Sequence, residues 1–274
     1  MYKSEIIAAL ARKAGHITDA VFGPERQVLI RDKSQRPIRK GKDDKGEVGL
    51  DWTPDEATIW VTPGQPLHHI FHACLHLYRY WIEGAPQYWD LKRGCQGNLL
   101  EIENCFEHLV IIPVEIAYFP EAYSYWINSV EEGLRAVRRG GSGENLPRLF
   151  WLYALTRAAF PRSQVAEEVR LAAEEFQVLR ECENLTDSLL ENYDHKAFVL
   201  ENFCLHQLKH VPSTLGVRSI GSPAAHGGRS TVWTSLKDYR ASPAVQSSGD
   251  EDVVSWGAEV MPLSTMSNGV LTLD

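Results

Sequence analysis

The chain has 274 residues, 44% apolar and 23% charged, with a formal net charge of −8. That length buries a substantial core, as one large domain or two small ones, and the acidic balance argues against a sequence-independent grip on nucleic acid. No run reaches the roughly 20 apolar residues of a membrane span, Met1 to Glu5 lacks the basic-then-apolar order of a secretion signal, and the five cysteines form no Cys-x-x-Cys pair, all of which fits a cytoplasmic protein with reduced thiols.

In chain order, residues 2–14 place Ile6, Ile7, Leu10 and Ala11 on one helical face, with Gly15 as the stop. Residues 27–31 read as a short strand. A basic loop follows, with Arg31, Lys33, Arg36, Arg39, Lys40, Lys42 and Lys45; it reads as a solvated loop, with nucleic-acid contact as the lesser alternative. Thr58 to Thr62 is a β-branched, aromatic strand. A Pro/Gly turn over 63–66 leads into a helix from Leu67 to about Ile82, which stops near Gly84. Residues 87–97 read as irregular. A second strong helix begins near Asn98 and ends around Pro113. Further helices are expected over 121–139, 149–160 and 163–182, the last capped by Ser163, and over 185–210 in one or two pieces. Beyond Val211, Ser, Gly, Pro and Thr dominate and periodicity fades; residues 231–234 and 253–256 are candidate short strands. The organisation predicted is a core over 1–120, a helical domain over 121–210 and a C-terminal tail or peripheral wrap over 211–274.

The histidines carry the chemistry. Ten placed at random would make about 0.3 pairs at i,i+4 spacing; the chain has His68/His72, His72/His76 and His206/His210. Such pairs share a helical face and can share one ion. His72 and His76 follow a strand and a Pro/Gly turn on an otherwise apolar helix, and are read as metal ligands. His206/His210 lacks that context and is read as packing or surface. His68 and His69 flank the site at the helix start. A catalytic zinc takes three protein ligands and keeps one place for water. The third ligand is expected from the second helix, which holds Glu101, Glu103 and Glu107. Glu103 is assigned to the metal, with Glu101 as fallback, and Glu107 to holding a ligand histidine by its free ring N–H. Cys74 and Cys105 lie close by and are read as packing residues.

His72-Ala-Cys-Leu-His76 is the zinc-peptidase motif H-E-x-x-H with Ala73 in place of glutamate. With the preceding strand and the helix Glu103 to Pro113, it resembles the core of the gluzincin metallopeptidases, and within them the ImmA/IrrE type, over about residues 55–115. The resemblance implies an α+β fold, mostly helical, with a small zincin-like sheet packed on the metal-binding helices. It implies His72, His76 and Glu103 as zinc ligands, and cleavage of one specific regulatory or defence protein partner. Ala73 departs from the pattern. The missing carboxylate would move protons in the transition state, a contribution of about 10²–10⁴ in rate. Ala73 is therefore read as an inactivating replacement in an otherwise intact site; a catalytically inactive, metal-braced protein-binding module is the alternative. Peptide substrates of such enzymes lie along a sheet edge, for which Thr58–Thr62 is the candidate.

Overall fold

A computed structural model of the chain describes residues 3–36, 48–85, 87–90, 98–140, 146–191, 215–223 and 229–235. Among these the protein is an α+β structure, mostly helical, with seven α-helices and two small three-stranded sheets. Helix α1 (Lys3–Phe22) precedes strand β1 (Gln27–Asp32), a 3-10 turn at Lys33–Gln35, β2 (Gly49–Trp52) and β3 (Glu56–Val61). β3 lies in the centre of the first sheet, parallel to β1 and antiparallel to β2. Helix α2 (Leu67–Trp81) follows, entered through a turn in which Gly64 has φ +82° and the Gln65 amide donates to Thr62 O at 3.0 Å. That turn needs a residue free of a Cβ at Gly64.

Among the described residues there follow β4 (Gln87–Asp90), then five helices: α3 (Asn98–Tyr118), α4 (Ala122–Gly140), α5 (Leu146–Ala159), α6 (Gln164–Glu175) and α7 (Leu179–Glu191). It returns as the antiparallel hairpin of β5 (Leu215–Pro223) and β6 (Arg229–Ser235), whose first strand pairs with β4. Residues 215–235 of the expected tail thus include a hairpin that completes a sheet begun more than a hundred residues earlier. Its β6 takes in residues 231–234, whereas 253–256 lie outside the described residues.

Two apolar clusters organise the described residues. Ile6, Leu10, Ile17, Val21, Val28, Ile59, Phe71 and Leu77 join α1, the first sheet and α2. Phe106, Leu109, Leu134, Leu149, Phe150, Val169 and Leu189 join α3 to α7. Helix α3 serves both: Phe106, Leu109 and Ile112 enter the second cluster, Ile111 the first. The α2–α3 contact is therefore where the two cores meet.

Several elements differ from expectation, each for a local reason. Helix α1 continues past Gly15, with a kink at Ala14 (φ −141°, ψ 59°), because Ile17 and Val21 are also buried. Helix α3 runs through Pro113, which removes one backbone donor at about 3 kcal/mol. Burial of Phe119 just past the helix end offsets that by about 1.5–3 kcal/mol, and Glu115 is buried as well. The helix expected over 163–182 breaks at Gln177, whose φ is +60°; glutamine carries no signal for that left-handed conformation. Ser163 does cap α6, accepting from the Ala166 amide at 3.2 Å. β2 and β4 were not foreseen. Thr58–Thr62 falls on the central strand β3, flanked on both sides, so it cannot be the edge that receives a peptide. In the basic segment, Arg36 donates to Asp51 at 3.0 Å and packs over Gly49, a structural pairing; residues 37–47 lie outside the described residues.

Candidate metal centre

Helix pitch builds the first half of the site. His68, His72 and His76 are spaced one turn apart and share one face of α2, while Ile70, Phe71, Cys74, Leu77 and Trp81 are buried on the others. Helix α3 supplies the second half. His108 and Glu115 are seven residues apart, two turns, so they share a face about 10 Å long. The helices run antiparallel, since His68 meets Glu115 at one end of the seam and Arg79 meets Glu107 at the other.

His72, His76 and His108 form a cluster of three half-buried imidazoles whose ligand nitrogens all lie within 4.8 Å of one another. The Nε2 atoms of His72 and His108 are 3.2 Å apart, close to the roughly 3.3 Å separating two ligands at about 2.05 Å in a tetrahedral site. The rings meet edge to face, with centroids 4.9 Å apart for His72/His76 and for His72/His108. Burial, then the neighbouring His72, pushes the His108 pKa down to about 3, so this imidazole is neutral near pH 7, the form a metal takes.

Below the cluster sits Glu115, fully buried. Its Oε1 is 2.9 Å from His68 Nδ1, and its Oε2 is 2.8 Å from His72 Nδ1 and 2.9 Å from Trp126 Nε1 on α4. Burial works to raise its pKa, but the hydrogen bonds from His68, His72 and Trp126 win and hold it near 2. The Trp126 ring lies against His72 and His108, with centroids at 5.3 and 5.5 Å, and Tyr125 packs against His68 and His69. Three helices thus wall the centre.

Of the residues singled out from sequence, His72 and His76 come together here. Ala73 is 4% exposed and belongs to the N-terminal apolar cluster. The Glu107 carboxylate, fully buried, accepts from Arg79 Nε at 3.0 Å, and the same arginine also pairs with Glu83. The side chains of Glu101 and Glu103, and all of His206 and His210, lie outside the described residues. Cys74 is buried in the apolar core, which pushes its thiol up to about 12. Cys105 packs against the second core. Burial, then His68, lowers His69 to about 4, and its Nδ1 faces the Gln65 amide.

Sequence reading missed His108 and Glu115. His108 forms no i,i+4 pair, and Glu115 lies beyond the proline at which the helix was expected to end; the seven-residue spacing between them was the available signal. Three imidazole donors suit zinc, cobalt, nickel or copper and not magnesium or calcium. Among the described residues the cluster comprises these three donors. No helix among the described residues is long and apolar enough to cross a membrane. No protein family, curated protein or solved structure matches the chain.

Proposed function

We propose that the chain carries a zinc centre of the metallopeptidase plan, with His72, His76 and His108 as ligands, on a zincin-like core, and that it lacks the general base of such an enzyme at Ala73. The observation that carries this reading is the convergence of three imidazole nitrogens from two antiparallel helices within 4.8 Å. The order of elements supports it: a mixed sheet, a turn, the His-x-x-x-His helix, then a second helix with the remaining ligand. Zinc, when bound, supplies a Lewis acid that polarises a carbonyl and acidifies water. The chain's own residues hold and orient the ion, while position 73 offers a methyl group where a carboxylate would transfer the proton. The class of partner is a protein or peptide, read from the likeness to regulatory metallopeptidases.

A second reading has its own observation. Ala73 is sealed in the apolar core, which suits a metal-braced protein-binding module that never used a base there. The two readings share the metal and differ at its fourth position. Zinc content is to be measured in the wild-type protein and in His72→Ala, and the visible spectrum of the cobalt-substituted protein recorded with added azide. One zinc per chain, lost in His72→Ala, with a cobalt spectrum that azide shifts, is the result expected of the peptidase plan. A spectrum indifferent to azide means a closed structural site. Absence of zinc from the wild-type protein removes both readings.

A further inference from the structure

We infer that Glu115 is a positioning residue for the metal centre: by accepting a hydrogen bond from His72 Nδ1 it holds that ring in the one tautomer, Nδ1–H, that turns the bare Nε2 toward His108 and the ion. The inference rests on the reading of His72, His76 and His108 as metal ligands and adds the residue that prepares them.

The argument is geometric. An indole N–H can only donate. Trp126 Nε1 lies 2.9 Å from Glu115 Oε2, so that oxygen is an acceptor. The same oxygen, which in the ionised carboxylate can only accept, lies 2.8 Å from His72 Nδ1, so the imidazole supplies the proton of that bond. A neutral imidazole with its proton on Nδ1 has a lone pair on Nε2, the atom 3.2 Å from His108 Nε2. The other oxygen lies 2.9 Å from His68 Nδ1, so the carboxylate is gripped from two helices and cannot rotate away. It is fully buried, where an uncompensated charge would be costly. Three N–H groups on one carboxylate at this helix seam are what its burial requires, and they fix the His72 ring before any ion arrives. Carboxylates placed so typically contribute a factor of about 10–100 in metal affinity.

The seam also explains why Glu115 acts on His72 in particular. His68 and His72 are adjacent turns of α2, and both present Nδ1 to the same carboxylate. His76, one turn further, lies beside His108 instead, with ring centroids 5.5 Å apart. The carboxylate thus anchors the end of the cluster nearest the start of α2, and Trp126 holds the carboxylate from α4.

The test uses the full chain. Zinc affinity is measured by competition with a chromophoric chelator for wild type and Glu115→Gln, and the imidazole tautomers of the metal-free wild-type protein are read from nitrogen-15 NMR. The expected result is a roughly 10–100-fold loss of zinc affinity in Glu115→Gln with retained helical circular dichroism, and a His72 ring already in the Nδ1–H form before metal is added. Equal zinc affinity in the two proteins overturns the inference while leaving the metal reading intact. If Glu115→Gln does not fold, the wild-type spectrum decides: a metal-free His72 protonated on Nε2, or exchanging between tautomers, overturns it. A wild-type protein that binds no zinc defeats the metal reading and, separately, leaves the tautomer measurement to judge Glu115.

Discussion

Replacing Ala73 with glutamate restores the letter that the peptidase motif lacks and also tests how the first core is packed. The new side chain adds a methylene and a carboxylate at a position that is 4% exposed, within a cluster that includes Ile6, Leu10, Phe71 and Leu77. Overpacking of a filled core costs about 1–3 kcal/mol. For a chain of this size each kcal/mol lowers the melting temperature by roughly 2–4 °C, so the expected fall is roughly 2–12 °C. Burying the carboxylate without partners raises the cost, and turning it along α2 toward the metal lowers it. Position 73 lies about 100° around the helix from His72, which such a turn must span. The assay is a thermal melt of both proteins with zinc, together with hydrolysis of a mixed peptide pool. On the peptidase plan, the variant melts lower and gains zinc-dependent hydrolysis, by about 10²–10⁴ over the parent. On the binding-module reading it melts lower and gains nothing. An unchanged melting temperature would refute the packing argument itself, since it would mean that position 73 is not sealed.

His108→Ala removes one of the three imidazoles; taking about 10–16 kcal/mol for a four-ligand zinc site, zinc affinity should fall by about two orders of magnitude or more, as read by isothermal titration, and an unaltered affinity would place the third ligand elsewhere. Arg79→Ala leaves the fully buried Glu107 carboxylate without its Arg79 partner, and should lower unfolding stability by about 3–5 kcal/mol in urea; the pair Arg79→Met with Glu107→Leu should recover most of that loss. Glu115 carries a pH signature. Its folded pKa, near 2, lies below the ordinary 4.5, so its contribution of about 3 kcal/mol is present above pH 4.5 and is lost as pH falls through about 2. With a chelator present, wild type and Glu115→Gln should differ in stability at neutral pH and converge in acid; a gap that does not close would assign the difference to something other than ionisation.

The parts of this protein that were legible in the sequence are those set by one helix or one strand. Helical pitch puts His72 and His76 on one face whatever else the chain does, and it sets the apolar faces of α1 and α2 as well. Ser163 declared itself as a cap because its hydroxyl needs only the amide three residues on. β4 could not be read in the same way. Its partner β5 lies more than a hundred residues away, and four residues carry too little pattern to announce a strand that exists only when paired.

What tertiary structure alone decided is the identity of the groups that meet His72. His108 and Glu115 come from a helix that sequence ended too early, and their relation to α2 depends on the antiparallel register of two packed helices. That register is set by the two apolar clusters meeting along α3, with Ile111 turned to one and Phe106, Leu109 and Ile112 to the other. Rotating α3 by one residue would swing its polar face by about 100° and carry both groups away from the histidine face. Local pitch determines which residues can share an ion on one helix; only the packing of two cores against each other determines what completes the set.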